Sequence, residues 1–345
     1  MRSSYNEDDV MLLLNDMTGK IEPVTQEERK VRVENGEAVR SIIIKEYEVS
    51  DEYTKIVNDN MEPYLQKMAN VVGVLAEILY KNKRNDLVLV DIARAGIPIG
   101  ILLKRYIKQF YNVNIPHYGI SLVNGLDPKA MEYIINKHGT NGVQFVDGWC
   151  GKGRVAKEIK KCVEQFYPNV DPGLAVLSDC LGVAKYAGTR EDIYIPYSPL
   201  NCSITGLVSI TVANEKFENP TGFHSAVYCK ELENKDQSVD FIERVASKFT
   251  KQEAKELNSN IYIDDTEIDK IAKLAGHDKK ELNPGINEAA RAVLRRTLEK
   301  MIVSDTSDPD VFVLVKLCES KNVPIVEMNI KGYKAVSVAN DNYLL

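Results

Sequence analysis

Apolar residues between Met61 and Lys81 recur at helical spacing (Leu65, Met68, Val71, Val72, Leu75, Ile78, Leu79), which predicts a long amphipathic helix against a core. The period then changes. Leu87-Val88-Leu89-Val90 is a continuous run of β-formers ending at Asp91, and a helical pattern from Pro98 to Phe110 follows it. Val143-Gln144-Phe145-Val146 ends at Asp147 and turns through glycines into a helix running to about Phe166. Leu174-Ala175-Val176-Leu177 ends at Ser178-Asp179 and is read as leading into another short helix. Buried strands alternating with helices predict an α/β fold, doubly wound on a mostly parallel sheet.

Around this core the pattern divides the chain into four parts. Residues 1–60 are polar and weakly periodic, broken by Pro23 and Gly36, and read as a partly helical N-terminal arm. Residues 61–249 form the main domain. Within it, Ser198 to Tyr228 is rich in Ser, Thr and Asn, with β-like pieces at Ser203–Val212 and Ala226–Tyr228 that could cover the sheet edge. His117-Tyr118 begins another strand candidate, with Asn124-Gly125-Leu126-Asp127-Pro128 as a lid-like loop. Residues 250–282, rich in Lys and Glu, read as a helical linker, and 283–345 as a smaller α/β/α domain.

Composition narrows the function classes. The 345 residues carry 44 Lys and Arg against 50 Asp and Glu, a net charge of −6, which argues against a polyanion binder driven by bulk charge. The first residues lack the apolar core of a signal peptide and no apolar run reaches bilayer length, so a cytoplasmic protein without membrane contact is expected. Six scattered cysteines with no CxxC pair read as reduced thiols, and four separated histidines give no metal-ligand spacing. A homo-oligomer is compatible with all of this.

The chemistry concentrates in Phe145-Val146-Asp147-Gly148-Trp149-Cys150-Gly151-Lys152-Gly153-Arg154, a strand ending in an acid and a glycine-rich turn opening a helix. Amides at a helix N-terminus favour an anion, Gly148, Gly151 and Gly153 permit close approach, and Lys152 and Arg154 add positive charge. A plain strand-to-helix turn with solvated basic residues explains the glycines equally well. The turn is neither a triphosphate P-loop nor a Gly-x-Gly-x-x-Gly dinucleotide turn. A second small-residue turn, Asp91-Ile92-Ala93-Arg94-Ala95-Gly96-Ile97-Pro98, follows another strand. In open parallel sheets such strand ends carry the ligand.

The two turns together resemble the type I phosphoribosyltransferase signature. More closely, residues 87–228 resemble the phosphoribosyltransferase family encoded with tellurite-resistance and stress operons, whose members are also labelled StiP-type cysteine proteases. The matching pieces are Ala93 to Gly100, Phe145 to Gly153, Leu200-Asn201 with Gly206-Leu207-Val208-Ser209, and Phe223-His224-Ser225-Ala226-Val227-Tyr228.

The resemblance implies a type I phosphoribosyltransferase-like fold. It also implies transfer of ribose 5-phosphate from Mg²⁺-bound 5-phosphoribosyl 1-diphosphate (PRPP) to a small nitrogenous acceptor, in a stress response. Ala93, Arg94, Ala95 and Gly96 would hold the diphosphate. Asp147, Gly148, Trp149, Cys150, Gly151, Lys152 and Gly153 would hold the ribose 5-phosphate. Asp147 and Arg94 would carry catalysis, and Asn201 and His224 would face the acceptor base. Mg²⁺ would arrive with the substrate, so no metal ligands are assigned on the protein.

The loop departs from that signature, because Gly148 stands where a second acid is usual and Cys150 where threonine is usual. Trp149 either stacks on a base or packs in the turn. Two other readings stand beside the transferase: an RNA regulator that senses PRPP without turnover, and a cysteine hydrolase using Cys150 with His224 as base.

In the C-terminal block, Asn283-Pro284-Gly285-Ile286-Asn287-Glu288-Ala289-Ala290-Arg291 opens a helix with a basic face that continues to Arg296. Strand candidates at Met301–Val303 and Pro324–Val326 flank a helical pattern from Pro309 to Ser320. The block resembles the pelota-type, L7Ae-like RNA-binding domain. That resemblance implies that Gly285, Asn287, Glu288 and Arg291 contact structured RNA. A capped helix with a solvated basic side is the simpler alternative.

Overall fold

A computed structural model of the chain describes residues 1–213, 221–255 and 265–340. It begins with two short strands, β1 (Met11–Leu12) and β2 (Asn15–Asp16), and two helices, α1 (Gln26–Glu34) and α2 (Asp51–Asp59). Thr25 and Glu28 close a capping box on α1, and the Ser50 side chain caps α2. The stretch read as an arm is integral to the fold: Val10, Leu12, Leu14, Tyr53 and Val57 are buried in the main core. Two-residue strands offer no alternation long enough to read, so their place in the sheet was not visible in the pattern.

The long helix appears as α3 (Glu62–Lys83), with Leu65, Met68, Val72, Leu75 and Leu79 buried along one stripe. Then follow β3 (Val88–Ile92), α4 (Ile97–Tyr111), β4 (His117–Ile120) and α5 (Pro128–His138). After them come β5 (Val143–Trp149), α6 (Arg154–Phe166), β6 (Leu174–Ser178) and β7 (Tyr186–Thr189). Six strands pair in the order β1-β4-β3-β5-β6-β7, every neighbour parallel.

Alternate residues of each strand point to opposite faces, and both faces are covered. Leu89, Val146, Ala175 and Leu177 join the cluster of α3 and α4. Val90, Phe145, Leu174 and Val176 join Met131 and Ile134 of α5 and Ile159 and Val163 of α6. Each Val, Leu, Ile, Met or Phe side chain among them contributes roughly 1.5–3 kcal/mol on burial.

The helix expected after Asp179 does not form. The Asp179 carboxylate instead pairs with Arg190 and accepts from the Ala184 amide at 2.7 Å, folding the segment into a turn that delivers β7. The expected cover is mostly irregular, with β8 (Ser225–Ala226) pairing with β2 and isolated bridges joining Val208 to Tyr228 and Val212 to Ser225. Residues 214–220 of that cover lie outside the described residues. α7 (Ser238–Ala246) then packs beside α4 through Phe241, Ile242 and Val245.

The C-terminal unit comprises α8 (Asp265–Ala275), β9 (Leu282–Pro284), α9 (Ile286–Arg295), β10 (Leu298–Val303), α10 (Phe312–Ser320), β11 (Ile325–Glu327) and β12 (Ala335–Ala339). Its strands run in the order β11-β10-β12-β9, parallel at β10–β11 and antiparallel elsewhere. Met301 and Val303 face α9 and α10, while Ile302, Val336 and Val338 share a cluster with Ile268, Ile271 and Ala272 of α8. α8 lies in the stretch read as a linker; residues 256–264 of that stretch, and 341–345, fall outside the described residues. The molecule is thus a mixed α/β protein with a parallel sheet and a smaller C-terminal domain.

Candidate active site

Two turns at the C-terminal ends of neighbouring strands build the site. After β3 the chain crosses Ala93-Arg94-Ala95-Gly96 and enters α4, and the turn lies so close to β5 that a Cβ at Gly96 would meet Val146 O at 2.6 Å. The Arg94 guanidinium does not reach outward. Its Nη1 and Nη2 donate to the two Glu46 carboxylate oxygens at 2.6 and 2.7 Å, and Nη1 also to Val208 O at 2.8 Å. Burial works against both charges, but each holds the other ionised: Glu46 lies below the ordinary carboxylate range and Arg94 above the ordinary guanidinium range.

After β5 come Asp147, Gly148, Trp149, Cys150 and Gly151. The buried Asp147 carboxylate accepts from the Gly148 amide at 2.8 Å. Burial pushes its pKa up to about 7, against the Gly148 hydrogen bond and the charge of Arg291. Cys150 is buried and its thiol is pushed well up, by burial first and then by the negative charges of Asp179 and Asp147. Asp179 Oδ1 is itself buried with no hydrogen-bond partner.

The third wall comes from the C-terminal unit. Trp149 Nε1 donates to Glu288 Oε1 at 2.9 Å, and a Cβ at Gly151 would meet Glu288 Cγ at 2.5 Å. Asn287 is 1% exposed; its Oδ1 accepts from Ile195 N at 2.8 Å and its Nδ2 donates to Ile193 O at 2.9 Å. Gly285 enters α9, and Asp192 of the first unit caps it by accepting from Ile286 N at 3.1 Å. The helix start expected to read RNA is therefore docked on the main domain, and of the four expected positions Arg291 and Glu288, paired at 3.1 Å, are the two that reach the cleft.

Together these walls enclose a cleft with three lobes. One of about 340 Å³ lies between Arg94, Asp147, Asn201, Arg154 and Arg291. Another of about 280 Å³ is lined by Asp147, Trp149, Cys150, Lys152 and Arg154. A third of about 250 Å³ is lined by Arg29, Glu46, Tyr47, Arg291 and Arg295.

Ala93, Ala95, Gly151 and Gly153 lie on its walls, so the two turns do come together. Asn201 borders the cleft, but its side chain is engaged with Tyr47 O at 2.9 Å and Ser203 N at 2.9 Å. His224 stands outside the three lobes, with Nδ1 on Ser121 Oγ at 3.0 Å and its amide on Asp127. His117 is paired with Asp91, His138 with the Tyr118 hydroxyl, and His277 with Glu281 and Glu299. Among the described residues no histidine lines the cleft.

Sequence reasoning missed Glu46, Arg29 and Tyr47, which reach the site through long-range folding with no local motif to mark them; Arg295 lay on the basic face of the predicted helix without being assigned to the site. Sequence reasoning also missed a cluster of Glu46, Cys202 and Cys229, whose ligand-capable atoms lie within 4.8 Å of one another.

Residues 3–246 match the family described as tellurite-like stress resistance cysteine protease StiP, and residues 265–341 match the PELOTA RNA binding domain. The chain is 30% identical to the cysteine protease StiP of Acinetobacter baylyi, over 97% of this chain and 93% of that protein. No solved structure matches it. Among the described residues no helix is long and apolar enough to cross a membrane.

These matches overturn the expectation of a PRPP-dependent phosphoribosyltransferase. The geometry supplies a physical reason: Glu46 occupies the arginine meant for diphosphate, and the Glu288 carboxylate sits against the turn meant for phosphate. Mg²⁺ was expected only as a passenger of that substrate and loses its basis with it. By its profile match across most of its length and its relative along nearly all of it, this chain belongs to the StiP family of tellurite-like stress resistance cysteine proteases.

Proposed function

We propose that this chain hydrolyses peptide bonds in the cleft between its two units, with Cys150 as the nucleophile. The observation that carries the assignment is that Cys150 is the cysteine among the residues lining the three lobes, with Asp147 beside it on the same wall. The curated relative's name supplies the reaction class.

A thiol must lose its proton to attack, and the surroundings of Cys150 hold that proton on. The base has to come from the cleft itself. Asp147, titrating near 7, is ionised in an appreciable fraction at neutral pH and basic enough to take the proton as the thiol sulfur bonds to the peptide carbonyl carbon. Arg154 and Arg291, lining the same lobe, oppose the developing oxyanion. When the carbon–nitrogen bond breaks, the departing amine takes the proton from Asp147. Water then cleaves the thioester by the reverse proton route, releasing the acid and restoring the thiol.

The test is hydrolysis of a fluorogenic peptide mixture by the full chain and by Cys150→Ala and Cys202→Ala. Loss with the first and retention with the second supports the assignment; the opposite pattern moves the nucleophile to Cys202.

A further inference from the structure

The 250 Å³ lobe gathers buried donors that lack acceptors. Arg29 Nε, Arg295 Nε and the Tyr47 hydroxyl are all buried without a hydrogen-bond partner, and all three residues line this lobe. The neighbouring cations are already matched, Arg94 with Glu46 at 2.6 Å and Arg291 with Glu288 at 3.1 Å. Among the described residues Arg295 forms no ion pair, although the charges of Glu46 and Glu288 act on it, and the Tyr47 ring lies 5.9 Å from its guanidinium carbon. Burial and then the charges of Arg291 and Arg94 push its pKa down to about 9, so the fold holds an excess of positive charge there.

A buried donor without an acceptor is costly, and a guanidinium without a counter-charge more so. Three such donors, on residues that line one open lobe, suit an anion with two oxygens, able to accept from two arginines and a hydroxyl. The lobe shares Asn283, Glu288 and Arg291 with the one that contains Cys150, so one extended chain can reach both.

We infer that the Arg29–Tyr47–Arg295 lobe is the specificity site of the cleft and takes a carboxylate of a peptide substrate. The carboxylate comes either from an Asp or Glu side chain or from the free C-terminus. This rests on the peptidase reading for the nature of the ligand, while the lobe and its orphan donors stand without it.

The experiment measures binding of short peptides to the full chain carrying Cys150→Ala, which cannot turn them over. Twin peptides with amidated ends differ only as Glu against Gln; a third has neutral side chains and a free C-terminal carboxylate; inorganic phosphate is the fourth probe. An acid-bearing peptide binding about tenfold or more tighter than its amide twin is expected, with the preference shrinking as salt rises. The Glu peptide winning over the free-end peptide assigns the side chain, and the reverse assigns the terminus. Arg295→Gln and, independently, Tyr47→Phe should reduce the acid-to-amide ratio, so that a folding failure in one leaves the other decisive.

Equal affinities for the twins with no gain from the free C-terminus overturn the inference, as does a preference that survives both variants or phosphate binding tighter than every peptide. If the unmutated chain cleaves the twins and the free-end peptide all at equal rates, the carboxylate site fails and the peptidase stands. If acids bind preferentially and nothing is cleaved, the reverse holds.

Discussion

Trp149 and Glu288 join the two units by one hydrogen bond of 2.9 Å between the turn after β5 and the first turn of α9. Because Trp149 is the chain's one tryptophan, its fluorescence reports on the surroundings of this contact. Glu288→Ala leaves the indole N–H unpaired and should red-shift the emission. The expected loss is about 1–2 kcal/mol of stability, modest because a third of the carboxylate side chain is exposed. Unchanged emission would mean that the docked arrangement is not the solution state.

Asn287 makes the deeper tie, with both ends of its amide used on main-chain groups of the first unit. Asn287→Ala should cost about 1–3 kcal/mol for each buried group left without its partner. Calorimetry should then resolve a separate, lower melting transition for the C-terminal unit. A single transition at the unaltered temperature would contradict the docking.

The long elements were legible in the sequence because their patterns are long: α3 by its helical stripe, and β3, β5 and β6 as apolar runs buried on both faces. β12 and β9 were not seen, since their pairing depends on partners distant in the chain. Asp179 was read as the start of a helix, yet its carboxylate is claimed by Arg190 and the Ala184 amide. The two turns of the site were found from Asp147, Arg94 and their glycines. What fills them was not: Glu46 lies far back in the chain from Arg94, and Glu288 far ahead of Gly151, and no spacing rule connects such pairs. The same turn composition therefore suggested a phosphate where the fold supplies its own carboxylates.

Glu46 and Arg94 are a buried pair, 3% and 10% exposed at their side chains. Removing one partner strands the other charge, so Glu46→Gln should destabilise the chain by about 3–5 kcal/mol. Replacing both with apolar residues of similar size should recover most of that loss. Urea denaturation of the single and double variants checks it, and a double variant no better than the single would refute the pairing as the cause.

Asp147 sets a pH dependence of stability. Its folded pKa, near 7, lies above the ordinary aspartate value of 3.8. Below that lower value both states are protonated and nothing is lost; between the two values the unfolded chain ionises first, so stability falls as pH rises, and above the folded value the loss is complete. Asp91 and Asp192, each pushed to about 6 by burial, add to the same trend. Asp147→Asn should flatten the fall between about pH 4 and 7. An unaltered slope would place the Asp147 titration elsewhere.

The most direct measurement is the pH profile of peptide hydrolysis by the full chain, compared with Cys150→Ala and Asp147→Asn. The account predicts a rate that rises with an apparent pKa near 7, vanishes with Cys150→Ala, and falls about 100-fold or more with Asp147→Asn. Hydrolysis that persists without the Cys150 thiol, or keeps its rate and profile without the Asp147 carboxylate, would contradict it.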